Sequence, residues 1–173
     1  MTIPPHNFTH SPVDEVTISL CYGEESPPVE IVIPSPYPGW GPIRERIEEI
    51  VHELPEGILH SCMLRYTDSF PLKPGDIPGD LVVIAPRIPS AMEGKILSEP
   101  ILSSLLSFTI PEGNMEISYI QSHERMRLIF TVKSLQGSIY DKNSCIAWFD
   151  SSREAVHQMF DSVTTEELLH RIM

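Results

Sequence analysis

The sequence predicts an α+β fold: a mainly antiparallel sheet carrying an amphipathic helix at about 42–54 and a C-terminal helix pair at about 152–172 on one face. Three observations predict it. Apolar and polar residues alternate in several short runs separated by turn residues. One segment behind a proline-rich connector has a clean helical stripe. Two hydroxyl-x-x-Glu signatures stand ahead of the last apolar faces.

The elements follow in order. Residues 1–12 hold three prolines, two histidines and few apolar residues, and read as a flexible arm; 13–173 read as a single domain. From Val16, Ile18, Leu20 and Tyr22 share one strand face, opposite Thr17, Ser19 and Cys21. After a turn at Gly23 to Pro28, Val29, Ile31 and Ile33 repeat the alternation, which predicts a hairpin or a neighbouring pair. The connector from Pro34 to Pro42 cannot join a ladder internally. Behind it, Ile43, Ile47, Ile50, Val51 and Leu54 draw one apolar stripe on a helix stopped by Pro55 and Gly57.

Residues 58–66 predict a strand with Cys62, Leu64 and Tyr66 on one face, Met63 and Arg65 on the other. The apolar run Leu81 to Ala85 reads as a strand buried on both faces, and 86–103 carry no clear pattern. A meander follows: Leu105 to Ile110, then Met115 to Tyr119, then Met126 to Val132, joined by short turns that require antiparallel pairing. A last strand is expected through Cys145, Ala147 and Phe149. Capping boxes at Ser151/Glu154 and Thr164/Glu167 then open the two terminal helices.

Composition excludes some functions. With 12 basic against 24 acidic residues, the formal net charge is -12. Such a field repels nucleic-acid phosphate and anionic lipid, so neither nucleic acid nor membrane is an expected partner. The three cysteines, Cys21, Cys62 and Cys145, form no CxxC pair, which disfavours a zinc knuckle and suits a reducing compartment. The first residues lack a signal-peptide pattern, and no apolar run approaches the roughly 18 residues of a membrane span. The expected location is the cytoplasm.

The candidate chemistry is sparse. His6 and His10 stand four apart, but their proline-rich surroundings have no helical period; a solvated tail is the simpler reading, and no metal site is assigned. No nucleotide-binding glycine loop, GxSxG elbow or paired-carboxylate metal pattern occurs, so no catalytic residue and no cofactor are assigned. Arg65, Tyr66 and Asp68 form the most informative polar cluster, because a guanidinium interrupts an apolar strand. A structural ion pair or turn cap is the plain reading, and a ligand site the functional one. His52 and His157 fall on polar helix faces, where solvation is the plain reading and pH sensing the functional one. His123 to Arg125 would lie at a hairpin tip. Trp40 and Tyr37 either pack over the helix start or anchor a partner.

The stretches Tyr-Pro-Gly-Trp-Gly-Pro-Ile-Arg-Glu-Arg-Ile (37–47) and Leu-Arg-Tyr-Thr-Asp-Ser-Phe-Pro-Leu (64–72) resemble a family of sporadically distributed, uncharacterised prokaryotic proteins. In that family a Y-x-x-W lead-in precedes an amphipathic helix, and a strand reading LRY-x-N follows. The ending is also similar: Phe149-Asp150, His157, Phe160, then Thr165-Glu166-Glu167-Leu168. The resemblance covers the chain from about Val29, the family's C-terminal half. Asp68 stands where the family usually has asparagine, and the longer N-terminal half is mostly missing, which would make this a truncated or divergent member. The resemblance implies no established activity; the family's patchy distribution implies a mobile-element or defence-linked role.

Three functions stay open at the level of sequence. The first is a non-enzymatic protein-interaction or assembly module, with a protein partner or self-association. The second is a small-ligand-binding protein or enzyme using Arg65, Tyr66, Asp68 and His157. The third, an acidic mimic of nucleic acid, suits the charge but not the interleaving of acids with Arg and Lys.

Overall fold

The computed structural model describes residues 13–22, 27–54, 59–87, 101–122, 124–135, 137–139 and 141–172. The expected arm at 1–12, His6 and His10, the turn at Gly23, the helix stop at Pro55 and Gly57, most of 86–103, and His123 lie outside the described residues. The elements run β1 (Val13–Tyr22), β2 (Val29–Pro34), α1 (Trp40–Glu53), β3 (Leu59–Pro71), α2 (Pro78–Leu81), β4 (Leu102–Ile110), β5 (Gly113–Gln121), β6 (Arg125–Lys133), α3 (Lys142–Val163) and α4 (Glu166–Ile172). The six strands form one sheet in the order β2-β1-β3-β6-β5-β4, with every neighbouring pair antiparallel. The expected α+β architecture is the one found.

Two local units make the sheet. β2 and β3 both pair antiparallel with β1, so they run parallel to each other, and α1 forms the crossover between them. β4, β5 and β6 form the meander, and β6 joins it to β3. Alternation selects which side is buried: Val16, Ile18 and Leu20 of β1 and Cys62, Leu64 and Tyr66 of β3 all face the core. α1 buries Ile43, Ile47 and Val51, while Ile50 and Leu54 flank the core from the edge of the stripe. α3 lies over β3 and β6, where Phe160 packs between Phe70 and Phe130 at centroid distances of 6.3 and 6.1 Å.

Gly113 starts β5 at φ 145°, and a Cβ there would meet the Lys133 carbonyl oxygen at 2.0 Å. Only glycine permits this close approach of the β4–β5 turn to the end of β6. Trp148 of α3 ties the same corner by donating its indole N–H to the Glu112 carbonyl at 2.7 Å.

Four expectations are corrected. Cys145, Ala147 and Phe149 belong to α3, not to a strand, because Cys145, Trp148, Phe149, Ser152 and Val156 form a longer stripe at helical spacing. The helix therefore starts at Lys142, and its cap is Asp141: the carboxylate accepts from Ser144 N–H at 2.6 Å and the Ser144 hydroxyl accepts from Asp141 N–H at 3.1 Å. Ser151 sits inside this helix and caps nothing. The second cap is displaced by one residue: Thr165 accepts from Leu168 N–H at 3.4 Å, whereas the Thr164 hydroxyl donates back to the Phe160 carbonyl. Finally, Leu81 to Ala85 is no doubly buried strand. Pro78 opens the single turn of α2, Val82 makes one bridge to Thr164, and Val83 is 61% exposed. Among the described residues, no helix is long and apolar enough to cross a membrane.

Candidate functional site

Strand parity separates the predicted site residues. Arg65 points to the face of the sheet away from the helices, where its guanidinium donates to the Thr131 hydroxyl at 3.2 Å. Tyr66 and Asp68 both point to the helix side and are buried, at 3% and 4% exposure. Arg65 and Asp68 therefore do not converge. His157 is exposed on α3, with its imidazole held below the ordinary range by desolvation and then by the neighbouring Arg153 charge.

A polar seam runs where β3, α1 and α3 meet. The Tyr37 hydroxyl lies 3.3 Å from that of Tyr66, with the rings edge-on at 6.1 Å. Tyr37 reaches this position from the proline-rich connector, which contains a cis Ser35–Pro36 bond. Gly39 at φ 88° then turns the chain into α1. Trp40 donates its indole N–H to Asp150 of α3 at 2.8 Å, and Arg44 pairs with the same carboxylate at 3.0 Å. Arg44 also pairs with Glu48. The polar end of Trp40 is thus satisfied within the chain.

Arg153, not singled out in the sequence, stands at the centre of this seam. Its guanidinium lies 5.8 Å over the Trp40 ring. Its charge also acts on Tyr66 and His157. Its Nε is buried and has no hydrogen-bond partner among the described residues, and the same holds for the Ser152 hydroxyl. Arg153 falls in the first turn of the helix expected from Ser151; its approach to Trp40 follows from the packing of α3 against α1, which local sequence does not mark.

Asp68 has a separate electrostatic peculiarity. A bulge between Val13 and Glu15 leaves Asp14 as the extra residue beside the Val13–Asp68 pair. Burial, followed by the Asp14 charge, pushes the Asp68 carboxyl up to about 7. The neighbouring phenol of Tyr66 is also raised, first by burial and then by Tyr37. A buried carboxyl displaced in this way can hold or release a proton near neutrality, whereas the raised phenol stays protonated. Among the described residues, no group of three or more His, Cys, Asp or Glu could hold a metal.

A second surface has a different character. Among the described strands, β4 is the outermost, beside β5, and it is the only one with no Asp, Glu, Lys or Arg. Its two faces carry exposed apolar side chains: Leu105 at 63% on the far face, Leu106 at 42% and Phe108 at 36% on the helix side. Burial falls off within one strand spacing. Ile117 and Met115 of β5 are fully buried, yet Leu106 and Phe108, directly paired with them, are not. Among the described residues, β4 is tied from beyond the sheet by the Ser104 hydroxyl, which donates to the Ile84 carbonyl at 2.9 Å. At the opposite edge, β2 carries Glu30 and ends on Pro34, two ordinary guards against edge pairing. The uncharged run Leu-Ser-Ser-Leu-Leu-Ser-Phe-Thr-Ile was visible in the sequence; its edge position was not.

No protein family, curated protein or solved structure matches the chain.

Proposed function

We propose that this protein is a non-enzymatic interaction or assembly module whose contact surface is the outer edge of β4. The supporting observation is an uncharged nine-residue edge strand with Leu105, Leu106 and Phe108 exposed. An edge presents unpaired backbone N–H and C=O groups, and proteins ordinarily guard long edges with charge, proline or bulges. An unguarded edge suits addition of a strand from a partner, in which the backbone supplies affinity and alternate side chains supply specificity. The resemblance of residues 37–47 and 64–72 supports a prokaryotic cytoplasmic setting and a mobile-element or defence-linked role. Photo-crosslinking residues installed singly at 105, 106 and, as a control, at Val32 of β2 test the reading in cells of the source organism. Discrete adducts at 105 and 106 but not at 32 support it. Absence of adducts at all three positions overturns it.

A second reading, a small-ligand-binding or enzymatic site, draws its support from buried Asp68 beside Tyr66 and Arg153. It requires a ligand whose binding raises the melting temperature of the wild-type chain but not of Asp68→Asn or Arg153→Ala. A ligand that stabilises all three equally rejects it.

A further inference from the structure

We infer that the occupant of the β4 edge is a second copy of this chain, paired antiparallel through β4 about a two-fold axis near Leu106. The inference rests on the proposed interaction reading and names its partner.

Charge is the first reason. In an isologous contact, each residue near the axis faces its own counterpart, so any charged residue there repels itself. Two copies carry a formal charge of -12 each and repel as whole molecules. Of the six described strands, only β4 lacks charge altogether, and it lies at an edge of the sheet they form. A basic peptide partner would instead be met by carboxylates along the edge, and β4 offers none.

Side-chain complementarity is the second reason. The register that overlaps the full strand pairs Leu106 with Leu106, Ser104 with Phe108 and Leu102 with Ile110 of the other copy. These are all helix-side positions, as their β5 partners show. The far face then pairs Leu105 with Ser107 and Ser103 with Thr109. Each large side chain meets its own kind or a small residue, so the strand accepts its copy without steric conflict. An axis perpendicular to the sheet keeps both helix layers on one side and joins the two sheets edge to edge. Leu106 and Phe108, left half-uncovered by the helix layer, are then covered across the new strand pair.

The geometry also limits the strength. A nine-residue strand is about 30 Å long. Its edge alone is smaller than the ~800 Å² per partner of a standard interface. The dimer is therefore expected to depend on concentration. Because the contact is uncharged while the whole chains repel, added salt should tighten it; an interface held by ion pairs would loosen instead.

Sedimentation of the purified full chain over a wide concentration range, at low and high salt, tests this. The expected result is a monomer–dimer equilibrium strengthened by salt, with Leu106→Lys and Ser107→Lys each weakening it at least about tenfold. Leu106→Lys reduces the net negative charge, so relief of whole-chain repulsion would act in the opposite direction. Circular dichroism of each variant verifies that the fold is kept. In a Cys21→Ser background, Leu106→Cys should cross-link to itself on mild oxidation, whereas Val32→Cys should not. A dimer indifferent to both lysine variants overturns the β4 assignment. A monomer at every concentration, with no Leu106→Cys cross-link, overturns self-association. In that case, photo-crosslinks at 105 and 106 to a different protein would leave the interaction reading standing, and their absence would remove both.

Discussion

Replacing Asp68 with asparagine should make the protein more stable, and only above acidic pH. Asp68 is 4% exposed, and its carboxyl stands at about 7 against an ordinary 3.8, mainly because burial penalises its charge. Its folded pKa exceeds its unfolded one, so the folded chain holds this proton more tightly. Below the unfolded value both states are protonated and there is no penalty. As pH rises from about 4 to about 7, the unfolded chain ionises freely while the folded chain resists, and stability falls across that window. Displacement from 3.8 to about 7 sets a ceiling of ~4 kcal/mol, at about 1.4 kcal/mol per pH unit. Asparagine never ionises, but its amide brings donors whose burial without partners costs about 1–3 kcal/mol. The expected net gain at about pH 8 is ~1–3 kcal/mol, shrinking to zero or below at about pH 4.5. Urea unfolding of both proteins at several pH values, followed by far-UV circular dichroism and by tryptophan fluorescence, measures it. Taking the difference between variant and wild type cancels the titration of the other carboxylates. A difference independent of pH would refute the reasoning, because it would show that Asp68 ionises alike in both states.

Three further outcomes follow from the fold. Asp141→Ala should cost about 1 kcal/mol through loss of the α3 cap, whereas Ser151→Ala, exposed inside the helix, should cost nothing measurable; equal effects in urea unfolding would return the cap to Ser151. Gly113→Ala, with its Cβ driven toward the Lys133 carbonyl, should lose at least about 2 kcal/mol, and a wild-type melting temperature would contradict the close approach. Cys62 and Cys145 lie buried with their sulfurs 3.5 Å apart, and Cys62 is held as a neutral thiol by its neighbour and by burial. Titration with a thiol reagent should therefore find Cys21 reactive in the native protein and the other two only after unfolding; rapid modification of all three would disprove the packing of α3 on β3.

Local periodicity explains what was legible in the residues alone. The α1 stripe, the β1–β2 hairpin and the meander each repeat at a spacing that one element satisfies and another does not. The Cys145 to Phe149 segment failed that test because three apolar residues at alternate positions fit a strand, while the helical stripe becomes visible only out to Val156. The same strand assignment moved the cap from Asp141 to Ser151. Composition and alternation determined the α+β class, the helix-facing side of β3 and the lack of charge in β4. Only the tertiary structure decided that Arg65 and Asp68 lie on opposite faces, that the β1 bulge sets Asp14 beside Asp68, and that β4 is the last of the described strands in the sheet. Each depends on which strand lies beside which, and strand order is set by long-range pairing between segments that carry no local mark of their neighbour.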